Sequence, residues 1–146
     1  MPTTRSLGLD LGDKRIGVAV SVPDTLLAYP LTTLASKDDM SDVEAIIELT
    51  RRHQVERIVV GLPRSMDGSL GQQAEKVTSF VKLLSHSTVI PVVMWDERLS
   101  TVAAEKLMLE SGKSREKRKA QRDAVAAALI LQSFLDGQRP PESRDD

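Results

Sequence analysis

Acidic residues stand at the ends of apolar segments in three parts of the chain. Asp10 lies between two apolar runs in residues 7–21, Asp96 and Glu97 follow an apolar run, and Asp123 precedes one. Apolar runs of this kind form strands and helices of the core, and a buried carboxylate is costly unless it is paired, hydrogen-bonded or bound to a metal. The pattern predicts a carboxylate-walled metal site.

A basic segment lies directly before Asp123. Six of the ten residues from 113 to 122 are Lys or Arg: Lys113, Arg115, Lys117, Arg118, Lys119 and Arg122. Such a run can be a solvated loop, and the formal net charge of −1 does not by itself point to nucleic acid. Beside an acidic metal site, however, a basic segment is what cleavage of a phosphate backbone requires. We therefore expect nucleic acid as the partner.

Each acid also has a purely structural explanation. Asp10 can accept hydrogen bonds from amides of the turn that follows it, although Gly8 and Gly12 leave room for a backbone, a phosphate or a metal. Asp123, placed in the first turn of the predicted last helix, can complement the helix dipole. If one strand runs through Asp96 and Glu97, their side chains point to opposite faces, and only one of them reaches the site.

Composition indicates one domain. The chain has 146 residues, 40% of them hydrophobic and 28% charged, which is ordinary for a globular protein. We expect a single domain over residues 1–137 and a disordered tail over 138–146. Cysteine is absent, so thiolate chemistry is excluded, and we expect a cytoplasmic protein. No apolar stretch approaches the roughly 20 residues of a membrane span, and no membrane partner is expected.

The order of predicted elements indicates an α/β fold. Strands are predicted at 7–11, 16–21, 29–34, 57–61 and 89–95, the first two joined by a tight turn. Helices are predicted from a capping box at Ser41 to about His53, from a second capping box at Ser69 to about Leu84, over 100–111, and from about Gln121 to Gly137. An antiparallel start followed by strand–helix alternation predicts a mixed five-stranded sheet flanked by helices.

Four motifs in this order closely resemble the YqgF/RuvX family, and the resemblance covers residues 6–136. They are Gly8-Leu9-Asp10-Leu11-Gly12 with Lys14-Arg15-Ile16-Gly17; Val60-Gly61-Leu62-Pro63 with Met66-Asp67-Gly68-Ser69; Asp96-Glu97-Arg98-Leu99-Ser100-Thr101; and Asp123-Ala124 with Ala127-Ala128. The resemblance implies an RNase H-like fold and a nuclease that acts on precursor small-subunit ribosomal RNA or on four-way (Holliday) DNA junctions. Ribosomal particles are a possible further partner.

The resemblance also implies that Asp10, Glu97 and Asp123 are the catalytic, metal-binding acids. Asp96 is then a candidate for contacting these acids without binding the metal itself. Oxygen ligands suit Mg²⁺ or Mn²⁺, and a two-metal site is expected. We expect the phosphate backbone to be gripped by the basic segment together with Lys14, Arg15 and Arg98.

Two other classes of function compete with a nuclease. An actin-like ATPase domain also begins with an Asp-Leu-Gly strand, but that architecture needs two such domains. A catalytically idle RNA-binding or ribosome-associated module could keep the fold and the acids without turnover. The sequence leaves open RNA against DNA as substrate, and monomer against homodimer, although symmetric cleavage of a junction calls for two active sites.

Overall fold

The sheet is the central layer of the computed structural model, which describes residues 5–22, 27–63, 71–96 and 115–137. Its strands are β1 (Ser6–Leu11), β2 (Arg15–Val22), β3 (Leu27–Ala35), β4 (Arg57–Leu62) and β5 (Val92–Asp96), in the order β3-β2-β1-β4-β5. β1 and β3 run antiparallel to β2, whereas β1, β4 and β5 run parallel to one another. The expected mixed five-stranded sheet is confirmed.

Three helices are described on the two faces of this sheet. They are α1 (Asp39–Arg52), α2 (Gln72–Ser87) and α3 (Arg115–Gly137). Leu7 and Leu9 of β1 point into the core that includes residues of α1 and α2. Gly8 and Asp10 alternate with them and therefore point towards α3. Asp10 thus shares a face of the sheet with the helix that carries Asp123.

Some element boundaries differ from those expected. α1 begins before Ser41, because the carboxylate of Asp38 accepts the Ser41 N–H at 2.9 Å and is the N-cap. β5 begins at Val92, after Pro91, and Val89 is fully exposed. α3 begins at Arg115 instead of Gln121, because Lys, Arg, Glu and Gln are all good helix formers. The predicted cap at Ser69, the helix over 100–111 and the tail lie outside the described residues.

The C-terminal half of α3 is anchored on β4 and β5 by an aromatic cluster. The indole Nε1–H of Trp95 donates to Ser133 Oγ at 3.0 Å, and its ring meets Phe134 edge-on at 5.3 Å between centroids. The Arg57 guanidinium lies 4.7 Å from the Phe134 ring centre. These contacts fix the end of the helix away from Asp123.

The middle of α3 lies directly on the backbone of β1 and β2. A Cβ at Gly17 of β2 would stand 1.9 Å from the carbonyl oxygen of Asp123, and one at Gly8 of β1 would stand 2.8 Å from Leu131 Cβ. Only glycine fits positions this close. Since Gly17 is the β2 partner of Asp10, this contact brings the backbone of Asp123 next to Asp10.

Few backbone N–H groups are free to donate hydrogen bonds along the first half of the outer edge of β3. The Ala28 N–H donates to Gln132 Oε1 of α3 at 2.9 Å, so it points away from β2. Pro30, two residues further on, points the same way and has no N–H.

None of the helices among the described residues is both long and apolar enough to cross a membrane.

We predict that Gly17→Ala destabilises the protein by about 3 kcal/mol, because the added methyl group collides with helix backbone that cannot move aside cheaply. Urea unfolding followed by circular dichroism measures this. Gly71→Ala is the matched control, since a Cβ there meets no atom within 4 Å, and a change within about 1 kcal/mol is expected. Equal stability of the Gly17 variant and the wild type would contradict the close contact.

Candidate active site

Asp10 stands near the carboxyl end of β1, opposite Gly17 of β2 and on the face covered by α3. Burial, and to a smaller extent the negative charge of Asp123, together raise the pKa of Asp10 from its ordinary value of 3.8 to about 6. A carboxylate held in this way needs a counter-charge or a proton near neutral pH. Hydrogen bonds from amides of the turn to the Asp10 carboxylate, the structural explanation considered above, would instead lower its pKa.

Asp123 lies inside α3, eight residues beyond its first residue, Arg115. The expectation that it occupies the first turn is therefore wrong, and with it the explanation of Asp123 as a dipole-complementing residue, which applies only within the first turn. Its carbonyl oxygen lies over Gly17, and its carboxylate raises the pKa of Asp10. The structure thus brings together two of the three predicted acids.

Arg15 forms an ion pair with one of these two carboxylates, that of Asp123. Its Nε donates to Asp123 Oδ2 at 2.6 Å, and its side chain remains 42% exposed. Arg15 begins β2 and shares the face of Gly17 two residues along. It was expected to bind nucleic acid, and the structure adds a contact with a catalytic candidate 108 residues away in sequence.

The third predicted acid, Glu97, and the neighbouring Arg98 lie outside the described residues. Asp96 is the last residue of β5 and pairs with Leu62 of β4, whose side chain belongs to the core on the side of α1 and α2. Asp96 therefore points away from the face of Asp10. Its supporting role for the metal-binding acids stays a prediction.

Five of the basic residues lie on the same helix as Asp123. Arg122 is exposed next to it, and Lys14 is exposed in the turn between β1 and β2. Four further members belong to the N-terminal part of α3, where only the backbone is described: Arg115, Lys117, Arg118 and Lys119. Lys113 lies outside the described residues. The basic segment is therefore helical from Arg115 onwards and leads directly to the acidic site.

Sequence reasoning missed Gly17 as a determinant of the site. The sequence did contain a signal for it: a glycine inside the β-branched run of β2 often marks a close approach of another backbone. The contact between Arg15 and Asp123 was also missed. Gly8, which was expected to admit a backbone, phosphate or metal, admits the backbone of α3.

The donor set at this site fits a hard divalent cation. Asp10 and Asp123 offer only carboxylate oxygens, which Mg²⁺ and Mn²⁺ prefer. Burial, and secondly the charge of Asp123, raise the pKa of Asp10, so its ionised form is unfavourable without a cation. Within the described ranges no three carboxylates or histidines gather into a full metal site, and Glu97 stands outside those ranges. We conclude that the described pair can hold a cation together with a further ligand.

We predict that Asp10→Asn stabilises the metal-free protein at neutral pH. Below pH 3.8 the carboxyl is protonated in both states. As the pH rises to about 6, the unfolded chain loses its proton first, so ionisation favours unfolding. At about 1.4 kcal/mol per pKa unit, the wild type should lose up to about 3 kcal/mol relative to the variant between pH 4 and 7.

Urea unfolding of both proteins in EDTA across this pH range measures the difference. Asp13→Asn is the matched control, because Asp13 is exposed in the adjoining turn, and its curve should run parallel to that of the wild type. Parallel curves for the Asp10 variant and the wild type would contradict a raised pKa at Asp10.

Comparison with known proteins identifies the family and supports the fold. The family model described as "RuvX: Holliday junction resolvase" matches residues 4–137. A protein of Caldanaerobacter subterraneus subsp. tengcongensis named "Putative pre-16S rRNA nuclease" is 49% identical over 136 residues, which cover 92% of this chain and 98% of the relative. A protein of the same name from Pelotomaculum thermopropionicum is 49% identical over 138 residues, covering 94% and 90%.

Similar solved structures share the fold at low sequence identity. RuvC of Thermus thermophilus, in complex with a Holliday junction substrate, has a TM-score of 0.56 at 14% identity and covers 93% of this chain and 96% of its own. The fowlpox virus resolvase, with Holliday junction DNA, has a TM-score of 0.60 at 8% identity and covers 94% and 100%. The expected RNase H-like architecture is confirmed, and the chain belongs to the YqgF/RuvX family.

Proposed function

We propose that this chain is a divalent-metal-dependent nuclease that hydrolyses phosphodiester bonds in the 5′ maturation of precursor small-subunit (16S) ribosomal RNA. The observation that carries the proposal is the placement of Asp123 of α3 next to Asp10 of β1, with the pKa of Asp10 raised to about 6. A carboxyl group whose pKa is strongly perturbed by burial and by a specific charged neighbour is a candidate catalytic group.

Asp10, Asp123 and Glu97 are the residues that would hold Mg²⁺ or Mn²⁺. Two bound ions would activate the attacking water and offset negative charge on the leaving oxygen. Asp10, placed between the other elements on the central strand β1, is suited to contact both ions. The glycine contact under α3 keeps Asp123 in register with Asp10, so the pair is positioned before the substrate arrives.

Cations of the chain would bind the phosphate backbone around these acids. Lys14 in the turn and Arg122 beside Asp123 are exposed and need no rearrangement to meet a phosphate. Arg115, Lys117, Arg118 and Lys119, which belong to the N-terminal part of α3, are expected to add to these contacts, as are Lys113 and Arg98. Such contacts position a substrate without reading its sequence.

The names of the relatives favour precursor ribosomal RNA as the substrate. The description of the family model and the junction-bound neighbours favour a second candidate, resolution of four-way DNA junctions. A symmetric junction needs two active sites, hence a homodimer, whereas trimming of RNA can be performed by a monomer. A catalytically idle RNA-binding module is the third candidate, and association with ribosomal particles suits it as well as the RNA nuclease.

We predict that Asp10→Asn lowers the cleavage rate by at least about a thousand-fold, because several kcal/mol of charge stabilisation depend on this carboxylate. Nucleic-acid binding should be retained, since the cations are untouched. The measurement compares a precursor 16S ribosomal RNA fragment and a four-way DNA junction side by side, with Mg²⁺, with Mn²⁺ and with EDTA.

Asp13→Asn serves as the control for loss of one exposed acid and should cleave at the wild-type rate. Faster cleavage of the RNA supports the proposal, and faster cleavage of the junction selects the second candidate. Binding without cleavage by folded wild-type protein would select the idle module. Equal cleavage by Asp10→Asn and wild type would remove Asp10 from the site.

A further inference from the structure

The Arg15 backbone is fixed by three neighbouring contacts. Its carbonyl accepts the Gly12 N–H at 2.9 Å, the preceding Lys14 carbonyl accepts the Ser36 N–H at 2.9 Å, and Arg15 pairs with Ala35 of β3. On the other side of the turn, Gln73 Nε2 of α2 donates to the carbonyl of Leu11 at 3.3 Å. Any change of position at Arg15 is therefore confined to its side chain.

The guanidinium of Arg15 contacts the same carboxylate that the proposed function gives to the cation. Its Nε donates to Asp123 Oδ2 at 2.6 Å. This contact is partly open to solvent, since the side chains of Arg15 and Asp123 are 42% and 25% exposed. Ion pairs of this exposure contribute little net stability and exchange partners readily.

Arg15 is also well placed to meet a phosphate. It follows the exposed Lys14 in the turn, and an arginine fork binds phosphate oxygens in two parallel hydrogen bonds. One guanidinium cannot make its best contacts with Asp123 and with a phosphate backbone together. Its two partners therefore compete for it.

We propose that Arg15 is an exchangeable counter-ion of the acidic site: it holds Asp123 in the free protein and transfers to a substrate phosphate when nucleic acid binds, which frees Asp123 for a divalent cation. This inference rests on the proposed function. It makes nucleic acid and cation bind cooperatively, because each removes the obstacle to the other, and by linkage the coupling is reciprocal. Arg15 is then a positioning residue that delays cation binding until a substrate is present.

The test is titration of free Mn²⁺ by electron paramagnetic resonance with the full chain. Wild type, Arg15→Gln and Lys14→Gln are each titrated with and without a short phosphorothioate RNA that a gel shows to be intact afterwards. Without RNA, Arg15→Gln should bind Mn²⁺ about five-fold more tightly than wild type, and RNA should then tighten its binding by less than it tightens that of wild type. Lys14→Gln removes one positive charge from the same turn but leaves the contact with Asp123, so its affinity without RNA should change less than two-fold.

Thermal unfolding supplies a readout that a merely structural role would not produce. In EDTA, Arg15→Gln leaves Asp123 without its counter-ion and should lower Tm slightly, and saturating Mn²⁺ should restore Tm to that of the wild type. Arg15→Lys keeps the positive charge and replaces the Gln variant in the test if that variant does not fold. In EDTA it should lower Tm by less than Arg15→Gln does. A loss of Tm that Mn²⁺ does not restore would overturn the proposal.

Weaker or unchanged Mn²⁺ binding by Arg15→Gln would likewise overturn it, since Arg15 would then orient Asp123 for the cation instead of occupying it. Equal tightening of wild type and Arg15→Gln by RNA would overturn the exchange step. These results are separable from failure of the nuclease assignment, which shows as wild-type protein that neither binds Mn²⁺ nor cleaves.

Discussion

The contact between α3 and the glycine positions of β1 and β2 is the constraint on which the site depends. Gly17 and Gly8 let helix backbone lie where a side chain would otherwise stand, and the aromatic cluster around Trp95 holds the far end of the same helix. Because Gly17 is the partner of Asp10 across the β1–β2 ladder, this packing also sets the separation of the two carboxylates. The same contact therefore determines both how the helix packs on the sheet and how the acidic site is arranged.

The electrostatics of the site follow from that geometry. Burial under α3 takes Asp10 out of water, and the nearby Asp123 adds a like charge, so the pair is unfavourable when ionised. Arg15 relieves part of this at Asp123. Well-packed apolar residues in place of these groups would give the folded protein equal or greater stability. The arrangement is therefore best understood as preparation for a cationic partner.

Much of the fold could be predicted because alternation and periodicity report burial directly. The antiparallel start and the parallel strands follow from the apolar runs, and the acids at the ends of these runs indicated a common site. The start of α3 could not be predicted in this way, since its first turns carry cations and no apolar stripe. The contact between Arg15 and Asp123 joins residues 108 positions apart, and no local pattern encodes such a pair.

The hydrogen bond from Ala28 to Gln132, together with Pro30, has a consequence for assembly. An edge strand recruits another chain through a row of free N–H and C=O groups, and the first half of β3 lacks donors at both of these positions. Two copies of this chain therefore cannot join their sheets through that stretch into a continuous ladder. If a pair of active sites is assembled for a two-fold symmetric substrate, the interface must lie outside this stretch of β3, so this stretch does not set the relative orientation of the two sites.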